Sequence, residues 1–170
     1  FAPGTLGRLL EPLRSRYAYV VLDTPAGLGL TTRAALTVTD YALVVAQTEP
    51  LAMRSLGQVL RVLDHVRQAE HPGLTFLGLL PTMVDLKATP SRTAIEALWM
   101  GFEGVFETLI TRSAAYPEAS QKGLPMSFLA GPRSPEARQF EAFASEVEAT
   151  IQRLRELHEP GQPQPERQLL

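Results

Sequence analysis

Residues 17–36 read YAYVVLDTPAGLGLTTRAAL. The run YAYVVL at 17–22 is apolar and partly β-branched, and it closes on Asp23. A run apolar on both faces suits a parallel strand buried between helix layers. Residues 24–29 hold three turn formers, Pro25, Gly27 and Gly29, and residues 31–39 predict a short helix. Strand, glycine-rich turn and helix in that order make the unit from which parallel α/β sheets are built.

The same alternation continues downstream. YALVVA at 41–46 predicts a second buried strand, and residues 51–69 a helix with an apolar stripe of Leu56, Val59, Leu60, Leu63 and Val66. His71-Pro72-Gly73 stops that helix. LTFLGLL at 74–80 is a third strand, 91–100 a helix, and VFETLI at 105–110 a fourth strand. Residues 114–122 predict a short helix closed by Gly123, and 125–129 a short extended piece. The last helix covers 134–157, with Phe140, Phe143, Val147, Ile151 and Leu154 on one face. Upstream, residues 5–16 carry Leu6, Leu9, Leu10 and Leu13 at helical spacing despite Pro12. Residues 1–157 thus predict one α/β domain with a mostly parallel sheet. Residues 158–170 end in a Pro/Gln-rich tail of the kind that does not bury a core.

Composition removes several function classes. The chain has 170 residues, a formal net charge of −2 and no cysteine. Disulfides, thiolate metal sites and cysteine nucleophiles are excluded. No apolar run approaches the roughly 20 residues that span a bilayer. His65, His71 and His158 show no ligand spacing, so a zinc site is not expected. The balance of charge demands neither nucleic acid nor membrane, although a local basic face remains compatible with it.

In open α/β sheets ligands bind beyond the C-terminal ends of the strands. Asp23 stands at such an end, before a loop in which Gly27 and Gly29 permit rearrangement. It has two readings. It can hold Mg²⁺ through water beside a nucleotide γ-phosphate, or it can end the strand and cap the next helix.

The string at 17–36 resembles the switch segment of the ParA- and MinD-type ATPases, a deviant branch of the P-loop NTPases. That family shows aliphatic residues, then Asp-Thr-Pro-Pro-Gly; here Ala26 replaces the second proline. DYALVVAQTEPLAMRSL is similar to the family's next strand and helix with its Gln-x-Glu turn. GLLPTMVDLK resembles the strand end that reaches the adenine, and residues 107–147 resemble the closing stretch. The likeness covers about residues 16–155 and lies closest to the ParA/Soj partition proteins.

The resemblance implies a three-layer, Rossmann-like P-loop fold of which the N-terminal βα units are absent. It implies ATP and Mg²⁺ as cofactors, with Asp23 as catalytic and metal residue. Asp23, Thr24, Pro25 and Gly27 would contact the nucleotide. Thr82 and Asp85 fall where the P-loop class places an Asn-x-x-Asp base motif; Thr82 departs from asparagine, and a plain polar turn is the other reading. Non-specific DNA binding would use Arg133 in GPRSPE and Arg112 in ITRSAAYPEA, in a homodimer formed with ATP. A ParB-like partner would stimulate hydrolysis, in a cytoplasmic, nucleoid-associated cycle. Acidic Glu118, Glu136 and Glu141 would weaken such a patch.

The phosphate-binding loop, Lys-Gly-Gly-x-Gly-Lys-Thr, does not occur; Lys87 and Lys122 are the only lysines. With Phe1 rather than methionine at its start, the chain reads as the C-terminal portion of something longer and predicts no ATP hydrolysis by itself. Two alternatives stand beside partition. One is a MinD-like membrane-cycling ATPase, whose basic amphipathic C-terminal helix the tail lacks. The other is a nucleotide-independent binding module that kept the fold and lost the loop.

Overall fold

The computed structural model describes residues 4–157; the predicted tail at 158–170 lies outside the described residues. The elements run α1 (Thr5–Arg14), α2 (Leu30–Leu36), β1 (Tyr41–Gln47), α3 (Pro50–Ala69), β2 (Thr75–Thr82), α4 (Thr89–Gly101), α5 (Ala115–Lys122), α6 (Met126–Leu129) and α7 (Pro135–Leu157). β1 and β2 are neighbours in a two-stranded parallel sheet. The chain divides into two compact units.

The first unit holds residues 4–42 and 58–76. Leu60, Leu63 and Val66 of α3 are buried as the stripe requires, with Ala35 of α2 and Leu74. Two polar contacts fix the loops here. Arg14 Nη2 donates to Val38 O at 3.1 Å, and Arg33 grips Glu70 at 2.9 Å. That pairing holds the Arg33 guanidinium above its usual pKa.

The expected strand at 17–22 does not form. Residues 17–21 are exposed, Val21 at 88%. The physical reason is pairing: a strand is stable only when a neighbour takes up its N–H and C=O groups, and among the described residues only β1 and β2 form a ladder.

The second unit holds residues 43–57 and 77–157. β2 is buried on both faces from Leu77 to Pro81, whereas β1 alternates, with Val44 and Ala46 buried and Leu43 and Val45 exposed. β1 is therefore covered on one face only, against the two-sided burial expected of it. The expected fourth strand at 105–110 is a looser companion of β2. It makes isolated parallel bridges at Leu79–Val105 and Val84–Thr111. Gly78 explains how close it comes: a Cβ there would lie 2.5 Å from the Phe106 ring and 2.7 Å from Gly104 O.

Between the two bridges Ile110 N donates to Pro81 O at 3.0 Å, and α7 supplies further acceptors to the segment. Glu146 accepts from Glu107 N at 2.7 Å and Thr108 N at 3.0 Å. Gln139 accepts from Thr111 N at 3.2 Å. Phe143, between them, packs edge-on against Phe106 with centroids 5.2 Å apart. Phe140, expected in the core, is instead 45% exposed and leans on Tyr116. Residues 125–129, expected extended, contain the helical turn α6, because Pro125 O accepts from Phe128 N and Leu129 N.

Candidate functional site

Of the residues singled out by the sequence, Asp23, Thr24, Pro25 and Gly27 belong to the first unit. All four are exposed. The loop is closed onto α2 by Thr32, whose hydroxyl donates to Gly27 O at 2.9 Å. Gly27 has φ 102°, a conformation that side chains rarely tolerate. The loop therefore has a defined bend with Asp23 open to solvent at its start. Among the described residues no cluster of three or more His, Cys, Asp or Glu could cage a metal ion. A single carboxylate of this kind suits Mg²⁺, which takes most of its ligands from water and nucleotide phosphates.

Thr82, Asp85, Arg112 and Arg133 belong to the second unit. The first three meet where β1 and β2 end. Thr48 N donates to Thr82 O at 3.1 Å, and Thr82 Oγ1 donates to Ala46 O at 3.3 Å. Asp85 Oδ1 accepts from Lys87 N at 2.9 Å, and Asp85 N donates to Ser91 Oγ at 3.0 Å. These contacts satisfy the plain reading, a polar turn that leads into α4. Between Thr82 and Asp85, Met83 adopts φ 53°, the one left-handed non-glycine among the described residues. Strain of this kind costs about 1–3 kcal/mol and gathers at functional turns.

Arg112 is fixed to the same corner. Its N–H donates to Val84 O at 2.8 Å, and its Nη2 reaches Glu49 Oε1 at 3.0 Å. Arg133 stands exposed in the turn before α7, where Ser134 N donates to Gly131 O at 3.2 Å. Beside Arg112, Ser113 Oγ donates to Glu136 Oε1 of α7 at 2.7 Å. That hydroxyl, helped by the Glu136 backbone N–H, holds the Glu136 carboxyl below its usual pKa. Burial, then the Glu136 charge, push the Tyr116 phenol up. Two further basic residues are engaged locally, Lys122 with Glu118 at 2.7 Å and Arg92 with Leu86 O at 3.2 Å.

Three residues of this corner were missed from the sequence. Thr48 and Ser91 form a buried hydroxyl pair at 2.7 Å, and Glu49 partners Arg112. The only signal for Glu49 was its place in the Gln-x-Glu turn.

Comparisons with known proteins bear on the family and the fold. Residues 4–76 match the AAA domain family. The chain is 35% identical over 144 residues to the uncharacterized protein Rv1708 of Mycobacterium tuberculosis, covering 84% of this chain and 45% of that protein. It is 34% identical over 145 residues to the sporulation initiation inhibitor protein Soj of Bacillus subtilis, covering 85% and 57%. The fold resembles cobyrinic acid a,c-diamide synthase of Mycobacterium smegmatis, solved with an ATP analog and magnesium. That match has a TM-score of 0.64 and 30% identity, over 94% of this chain and 56% of the other. The chain spans about half the length of the curated relatives it matches. The fold is that of the P-loop NTPases, in the α/β class. Within that class the chain belongs to the ParA/MinD-type ATPases.

Proposed function

We propose that these residues are the C-terminal portion of an ATPase that segregates DNA, with residues 1–157 as part of its nucleotide-binding domain. The observation that carries this reading is the convergence of Thr82, Asp85 and Arg112 at the strand ends of a ParA/MinD-type chain. In the first unit Asp23 would hold Mg²⁺ through water, with Thr24, Pro25 and Gly27 beside a phosphate. Within the second unit Thr82 and Asp85 would contact an adenine base. Bound Mg²⁺ would neutralise the charge that develops on the transferred phosphoryl group. The phosphate cradle has to come from another segment, since the glycine-lysine loop is missing from this sequence.

ATP would join two copies, bringing Arg112 and Arg133 of each onto one face for contact with DNA phosphates. A phosphate contact carries no sequence information and releases counterions, so binding would be non-specific and salt-dependent. A ParB-like protein would then trigger hydrolysis, and the cycle would run on the nucleoid. No described helix is long and apolar enough to cross a membrane.

The test uses the complete protein with ATP and two unrelated duplexes at several salt concentrations. Arg133→Ala should weaken both complexes alike and flatten the slope of log affinity on log salt by about 0.9. An unchanged slope removes Arg133 from the DNA face. DNA affinity indifferent to ATP favours the nucleotide-independent binding module instead.

A further inference from the structure

The ion pair between Arg112 and Glu49 joins residues 63 positions apart, at the ends of two different strand segments of the second unit. Both side chains are about half exposed, 54% and 52%, so each remains open to solvent and to a ligand. Their backbones, by contrast, are held. Arg112 N is bonded to Val84 O, and the preceding Thr111 N to Gln139 Oε1. Next to Glu49, Thr48 is tied by N–H to Thr82 O and by hydroxyl to Ser91. Glu49 O accepts from Met53 N at 3.1 Å. The pair can therefore open and close by side-chain rotation alone, with no rearrangement of the corner. The Lys122–Glu118 pair is different in kind, a one-turn contact on a single helix.

We propose that Glu49 is an internal competitor for the phosphate that Arg112 would bind: its carboxylate occupies the guanidinium until a nucleic-acid phosphate displaces it. This rests on the reading of Arg112 as a DNA contact. A carboxylate and a phosphate oxygen take the same guanidinium donors, so they compete directly. An exposed pair is worth little, which lets a polyanion displace it yet leaves a measurable handicap. Glu49 thereby sets how readily the face engages DNA and makes one of its charges latent in the free protein.

The experiment uses complete protein with ATP and two unrelated duplexes, comparing wild type with Glu49→Gln, Arg112→Ala, the double variant and Glu118→Gln. Glu49→Gln should tighten both complexes about two- to fivefold, and steepen the salt slope by up to about 0.9. In the Arg112→Ala background the same substitution should change nothing, because the competition has lost its object. A gain that persists without Arg112, or that Glu118→Gln reproduces, would be a general charge effect and would overturn the proposal. So would an unchanged affinity in Glu49→Gln when wild type binds. If neither wild type nor Glu49→Gln binds duplex, the DNA reading itself fails and the competitor role falls with it.

Discussion

Ser91 serves two groups of the strand-end corner, pairing with the Thr48 hydroxyl and accepting from Asp85 N. Thr48 and Ser91 are 2% and 5% exposed, so water does not replace either contact. Ser91→Ala leaves a buried hydroxyl and a half-buried N–H without this partner, a loss of about 1–3 kcal/mol. The thermal midpoint should fall by several degrees. Adding Thr48→Val should return part of it, since the stranded hydroxyl is then gone. A Ser91→Ala protein that melts like wild type would refute this account of the corner. None of it was legible in the sequence, where 43 positions separate the two hydroxyls. Thr82, Asp85 and Arg112 could be picked out because they stand in motifs; what each one touches could not.

The longer helices were legible and the strands only partly so, for one physical reason. The stripe Leu56, Val59, Leu60, Leu63, Val66 is written at local spacing; all but Val59 are buried in α3, and Val59 is partly so. A strand depends on partners far away in sequence. YAYVVL has the composition of a buried strand and finds no ladder among the described residues. The segment at 105–111 bonds to Leu79 and Pro81 of β2 and to Val84 beyond it, and α7 accepts from its Glu107, Thr108 and Thr111 amides. The residues that hold it, Gln139, Phe143 and Glu146, recur at helical spacing and so share one face. Their polar members were invisible to a search for apolar stripes. Glu146→Ala should leave the Glu107 and Thr108 amides without their acceptor and speed their hydrogen exchange more than that of β2. Equal protection in variant and wild type would mean that these amides have another acceptor.

At the scale of the molecule, the fold is that of the P-loop NTPases and the Asp23 segment resembles their switch segment, yet no glycine-rich turn in this sequence carries a lysine. Phosphoryl transfer depends on positioning and on charge placed around the phosphates. In the proposed function Asp23 would supply only the metal's side of that arrangement. This chain, purified and given Mg²⁺ and ATP, should therefore show no turnover above background. In the complete protein, Asp23→Ala should reduce hydrolysis at least tenfold, a loss of about 1.4 kcal/mol or more in transition-state stabilisation. Its thermal midpoint should hardly move, because an exposed side chain outside the core contributes within about 0.5 kcal/mol. Turnover and melting measured on one preparation separate the two roles of Asp23. Lost activity with an unchanged midpoint assigns it to the metal, and a midpoint that falls with the activity makes it a structural end to its segment. Steady hydrolysis by the 170-residue chain, surviving removal of contaminating ATPases, would show that the phosphates are held by residues other than a glycine-lysine loop.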